Sequence, residues 1–178
     1  MMLFCLLVGG ICSSVAQTSP TSLNQVLIRE SMQAVLGEHG PVRWKTIPIP
    51  DEQRAMLDRE LKQLKKVPDT LYVGTVETPG GIRRIIPDEA PSRSETFSFL
   101  LYLDEQSEIL DVDVLKYREN YGYEIDYKYF RKQFKGVSRP DRIIFGRTIQ
   151  NISGATISAR SITHAVHDLL TIYQRVGG

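Results

Sequence analysis

The chain has 178 residues, 22 Lys and Arg against 21 Asp and Glu, a formal net charge of +1 and 42% hydrophobic residues. That suits one domain with its own packed core. No basic stripe or block is large enough for a nucleic-acid face, so nucleic acid is excluded as a partner. Both cysteines, Cys5 and Cys12, fall in the first twelve residues, leaving no later disulfide, thiol or haem-attachment pair.

Met1 to Ala16 carries no charged side chain, and every charged residue lies after residue 28. Its apolar run is shorter than the roughly 20 residues of a spanning helix. Ser14-Val15-Ala16 suits a small-x-small cleavage site, so residues 1–16 are expected to be a signal peptide, with Gln17 starting the mature chain. A retained anchor is the alternative, because no basic residue precedes the apolar run. Ile11 before Cys12 argues against a lipoprotein.

A helix is expected over 22–36, with Ser22 as cap and Leu23, Val26, Leu27, Ala34 and Val35 on one side. Gly37 and Gly40 end it, and His39 is expected to cap there. A short strand is expected over 42–47 around Trp44. Asp51 is expected to cap a second helix reaching Lys66 and burying Leu57, Leu61 and Leu64. Lys62, Lys65 and Lys66 read as a solvated face, and Pro68 stops the helix.

Strands are expected over 70–77 and 82–86 around Pro79-Gly80-Gly81, a turn signal. Further strands are expected over 95–103, buried, and 108–116, with Asp104 to Ser107 as the turn between. A short helix over 126–135 places Phe130 and Phe134 at i, i+4. Residues 141–149 are expected to form a last strand. The final helix, 158–175, should bury Ile162, Ala165, Val166, Leu169, Leu170 and Tyr173. Meander strands with helices imply an α+β fold around one twisted antiparallel sheet.

The most informative segment is Ser153-Gly154-Ala155-Thr156-Ile157-Ser158. Small residues lead to a hydroxyl where a helix begins. A helix start favours an anion, because its first N–H groups lack partners and the dipole is positive there. The bland alternative is an ordinary cap with turn filler. His164 and His167 share a helix face beside Asp168, but no ligand pattern accompanies them, so no metal is expected. A hydrolase elbow and a dinucleotide loop are both missing.

The stretch Thr148 to Ser158, followed by an amphipathic helix, resembles the attachment segment of the FMN-binding domain family. That family includes the periplasmic C subunit of the sodium-pumping NADH:quinone reductase and the G subunit of the Rnf complex. Tyr117-Arg118-Glu119-Asn120-Tyr121-Gly122 is similar to the family's Glu-x-x-Gly loop, and Phe130 to Gly136 follows as it often does there. The resemblance covers about residues 70 to 176, with the attachment string as its specific part. The literal Glu77-Thr78-Pro79-Gly80 comes too early and reads as a hairpin turn.

The resemblance implies residues 17–69 as a helical extension and 70–178 as the FMN-binding domain. It implies FMN carried covalently, through a phosphoester, on Thr156. A separate flavin transferase using FAD and a divalent metal would read Ser153, Gly154 and Ala155 as an accessible strip. Ser158 is expected to cap the helix or act as a second acceptor. Glu119 is expected to accept from the flavin or from its own loop. Gly122 should allow a close approach or a positive φ, and Tyr121, Tyr123 and Tyr127 should lie near the isoalloxazine ring. Arg160 or Arg147 would pair with the phosphate. The implied setting is secreted or periplasmic, with membrane or periplasmic redox partners and electron transfer as the function. Family members usually carry Asp six positions before the modified Thr. Gln150 stands there in this chain, which leaves open a non-covalent or scaffold module.

Overall fold

The computed structural model describes residues 23–61 and 66–177. The expectations for the leader, Cys5, Cys12, Ser22, Lys62, Leu64 and Lys65 lie outside the described residues.

The first helix, α1 (Gln25–Leu36), starts at Asn24, whose side-chain oxygen accepts from the Val26 N–H at 2.9 Å. Gly37 (φ 68°) ends it, its N–H bonded to the Gln33 carbonyl, so Gly37 and not His39 is the cap. The buried stripe is Ile28, Ser31 and Met32, not the expected Val26 and Ala34. Apolar residues occur on two sides of this helix, and the sheet selects the one with Ile28 and Met32.

Strand β1 (Arg43–Pro48) leads into α2 (Asp51–Glu60). Pro50 occupies the cap position, so Asp51 does not cap; it lies in the first turn and pairs with Arg54. The helix stops at Leu61 rather than Lys66, because Leu61 is extended (φ −86°, ψ 137°). The Asp58 carboxylate accepts from the Val67 N–H at 2.9 Å and ties the returning chain to α2. Leu57 and Leu61 are buried as expected.

Strands β2 (Thr70–Thr78), β3 (Gly81–Pro91), β4 (Thr96–Leu103) and β5 (Ile109–Lys116) follow. With β1 they form one antiparallel sheet in chain order, β1-β2-β3-β4-β5. β3 runs to Pro91 rather than residue 86, because its second half pairs along β4 from Arg84 opposite Leu103 to Pro91 opposite Thr96. The α+β class is as expected, and β1 extends the sheet by pairing from Arg43 to Pro48 with β2.

β4 explains the layering. Phe97, Phe99, Leu101 and Leu103 join the larger core, while Leu100 and Tyr102 join a second cluster with α1 residues Ile28 and Met32. Alternate side chains point to opposite faces, and a core cluster lies on each face of this inner strand. The Tyr102 and Ser31 hydroxyls share a buried hydrogen bond of 2.6 Å between sheet and α1.

After β5 come a 3-10 turn (Tyr123–Asp126) and the short α3 (Lys128–Arg131). Phe130 and Phe134 are buried edge to face at 5.8 Å, although the helix is shorter than expected. The expected strand over 141–149 is absent. A 3-10 turn (Pro140–Arg142) precedes irregular chain with one bridge between Phe145 and Ile149. Thr148 supplies the reason: its hydroxyl accepts from the Ile144 N–H at 2.9 Å and donates to the Arg142 carbonyl at 2.5 Å. Those backbone groups need no neighbouring strand.

The last helix, α4 (Thr156–Val176), starts two residues before the expected 158. Its predicted apolar face is buried in full. At roughly 1.5–3 kcal/mol for each large side chain, that face anchors the helix on the sheet. The position of Thr156 follows from this anchoring.

Candidate functional site

Ile152 and Ala155 both enter the core. Between them the chain turns tightly, with the Ala155 N–H on the Ile152 carbonyl at 3.2 Å and Gly154 at φ 87°. Two buried anchors three residues apart push Ser153 and Gly154 outward and leave Thr156 exposed as the first residue of α4. Ala155 is 2% exposed, so the expected accessible strip is reduced to Ser153 and Gly154.

The loop after β5 folds against this turn. The Tyr117 hydroxyl donates to the Tyr121 carbonyl at 3.0 Å and shares a 2.7 Å hydrogen bond with Ser158 Oγ. Ser158 is buried inside the first turn of α4. It therefore neither caps the helix nor offers an accessible second hydroxyl; it is the latch for Tyr117. Gly122 has φ 92°, and a Cβ there would collide with the Tyr117 hydroxyl. Gly154 is similarly constrained, since a Cβ would meet Glu124 Oε1 at 2.8 Å. At both positions the positive φ favours glycine, and at Gly122 the Tyr117 ring adds a steric reason.

These contacts shape a cleft of about 250 Å³. Of the residues expected from sequence, Glu119, Tyr121, Gly122, Gly154, Ala155, Thr156 and Ser158 line it. Ser153 and Tyr123 do not. Tyr123 is half-exposed and meets Tyr127 edge to face at 6.0 Å, away from the lining. Tyr121 is 82% exposed at the cleft's edge, so little protein packing claims its ring. Sequence reasoning missed three residues here: Tyr117, Arg93 and Asn151. Asn151 Nδ2 donates to the Thr156 hydroxyl at 2.9 Å, which orients the oxygen and leaves its proton to point elsewhere. Tyr117 and Asn151 lie inside the stretches that carry the resemblance; nothing local marks Arg93.

Glu119 behaves differently from expectation. Its Oε1 accepts from the Ser92 hydroxyl, from the Ser94 N–H at 2.9 Å and from the Glu95 N–H at 3.0 Å. The donors belong to the β3–β4 connection, not to its own loop. The Ser92 hydroxyl, then the Ser94 N–H, hold this carboxyl below the usual carboxylate range. Burial pushes the Tyr117 phenol up, so it stays a neutral donor.

Neither arginine singled out for an anion lines the cleft; Arg93 does. Arg160 stacks over the Phe145 ring at 5.2 Å, in a neighbouring cleft with His164 and His167. Gln150 donates its side-chain amide to the Arg147 carbonyl at 2.5 Å. His167 Nδ1 contacts Asp168 at 2.8 Å. Among the described residues no group of three metal-ligating side chains gathers, and no helix is long and apolar enough to cross a membrane.

Residues 93–171 match the family model for the FMN-binding domain. The match begins at Arg93 and includes both segments of the cleft. Comparison with curated proteins gives no match.

Proposed function

We propose, for a chain whose residues 93–171 are an FMN-binding domain, that FMN is held covalently through a phosphoester to Thr156. The protein would act as an extracytoplasmic carrier of electrons between redox partners. The observation that carries this reading is the exposed Thr156 hydroxyl, oriented by Asn151 at the mouth of a cleft whose other wall is the Glu119–Gly122 loop. The residues suit the group: a hydroxyl for the ester, a guanidinium for the phosphate, and an exposed tyrosine ring for the flat isoalloxazine.

In attachment, the Thr156 oxygen forms a bond to the flavin-side phosphorus of FAD while the bond to the adenylate breaks. AMP leaves, and the hydroxyl proton passes to a base. Asn151 orients the hydroxyl but is an amide and takes no proton, so the base and the divalent metal belong to a separate flavin transferase. The remaining phosphodiester has one negative charge, which the start of α4 favours. Bound flavin supplies the one- and two-electron chemistry, and the protein sets its position, exposure and potential.

The test is coexpression of the chain with a flavin transferase, followed by denaturation and intact mass. The expected gain is FMN minus water, mapped to the Thr156 peptide. An unmodified mass, with the transferase active on a control, would reject covalent attachment. That result would favour the second reading, a non-covalent FMN module. Gln150 supports that alternative, because it brings no charge six positions before Thr156 and its amide is bonded to the Arg147 carbonyl. Gln150→Asp would then be the first variant to make.

A further inference from the structure

We propose that Arg93 holds the negative charge of the flavin phosphate at Thr156, and that Glu119 is the positioning residue that fixes the Arg93 loop. The inference rests on the attachment reading above and names its phosphate contact.

Arg93 lies in the turn between β3 and β4. That turn is closed by the Ser92 N–H on the Glu95 carbonyl at 2.8 Å, which leaves the Ser92 hydroxyl proton for Glu119. Arg93 is exposed and lines the cleft with Thr156. It makes no ion pair or hydrogen bond with any described residue. Other nearby arginines are engaged: Arg118 donates to the Thr96 carbonyl at 3.1 Å, and Arg160 stacks on Phe145.

Glu119 is the decisive partner. It is the carboxylate in the cleft lining, and pairing with Arg93 would cancel the guanidinium charge. Instead one of its oxygens accepts from Ser92, Ser94 and Glu95, residues flanking Arg93. The carboxylate grips the turn around the arginine and leaves the guanidinium available to an external anion. The ligand chemistry that suits it is a phosphodiester or phosphate monoester, whose oxygens match the guanidinium fork. The Ser92 hydroxyl and the Ser94 N–H hold the Glu119 carboxyl below the usual carboxylate range, so it stays ionised and keeps this grip through the neutral range.

The experiment compares wild type, Arg93→Gln, Arg93→Lys, Glu119→Gln and Arg147→Gln in two assays. The first is calorimetric binding of free FMN and of inorganic phosphate to transferase-free protein. The second is the rate of mass gain with transferase and FAD. Arg93→Gln is expected to weaken FMN binding and slow mass gain about tenfold or more, as for loss of a hydrogen bond to a charged group. Arg93→Lys should recover part of both. Glu119→Gln should fall between wild type and Arg93→Gln, and Arg147→Gln should match wild type. Arg93 is exposed, so its variants should melt like wild type. Wild-type behaviour of Arg93→Gln in both assays would overturn the assignment. Arg93-dependent FMN binding without mass gain would keep it and reject covalent attachment. No FMN binding by wild type and no mass gain would reject both.

Discussion

Arg131 on α3 ends among three aspartates, whereas Arg93 ends in an open cleft. Arg131 grips Asp111 with two bonds of 2.7 and 3.2 Å, Asp113 at 2.5 Å and Asp126 at 3.1 Å. Its side chain is 17% exposed. Burial pushes Asp113 and Asp126 up, and the aspartates hold the arginine charged against its own burial. This cluster joins β5, the 3-10 turn and α3, and its carboxylates engage the guanidinium fully. In the cleft, the carboxylate binds backbone and hydroxyl groups while the guanidinium stays available. A cation engaged by partly buried carboxylates supports the fold; a cation left free of partners is the proposed place for an anion.

The strongest way to break this contrast is Thr156→Val. Denaturation-resistant flavin should fall from full loading to none by intact mass. Thr156 is exposed, so the melting temperature should move by less than about 2 °C. Arg131→Met should do the reverse. Three partly buried carboxylates lose their cation, and urea unfolding should show a loss of about 3 kcal/mol. Flavin loading of the folded fraction should be unchanged.

Gly122→Ala should blur the two regions, because it affects fold and site together. Positive φ and the collision with Tyr117 should cost about 1–2 kcal/mol in urea. Loading should also fall as the loop leaves Ser158. Tyr117→Phe removes only the hydroxyl. It should cost about 1 kcal/mol and lower the rate of mass gain less than Gly122→Ala does.

The smallest effect is the response to pH, and its sign differs between the regions. The Glu119 carboxyl is lowered in the fold. Its contribution is complete above the ordinary carboxylate range and is lost as pH falls through the lower folded value. Asp113 is raised by burial, so its contribution is present at low pH and is lost as pH rises through the folded value. NMR titration should show the Ser94 amide moving only below the usual carboxylate range. The Asp113 carboxyl should titrate above that range. A shared midpoint would erase the distinction.

Much of the fold was legible locally. The apolar period of residues 158–175 already held the buried face of α4, and Pro79-Gly80 the hairpin turn. Alternation followed by an apolar run in residues 95–103 marked a strand with both faces covered. Failures occurred where a local pattern had two physical solutions. The apolar residues of α1 allowed two faces, and the 141–149 segment met its backbone needs through Thr148 rather than a neighbouring strand.

The candidate site divides in the same way. The small residues before Thr156, the glycine in the 119–122 loop and the start of a helix were all sequence properties, because they depend on neighbours a few positions apart. Tertiary structure decided that Ser158 latches Tyr117, that Glu119 binds the next turn, and that Arg93 rather than Arg160 or Arg147 lines the cleft. The Glu119–Ser92 contact spans 27 positions and the Tyr117–Ser158 contact 41. Period and composition report which face of a segment seeks the core. They do not report which other segment that core will bring alongside, because this depends on strand register and helix docking over the whole chain.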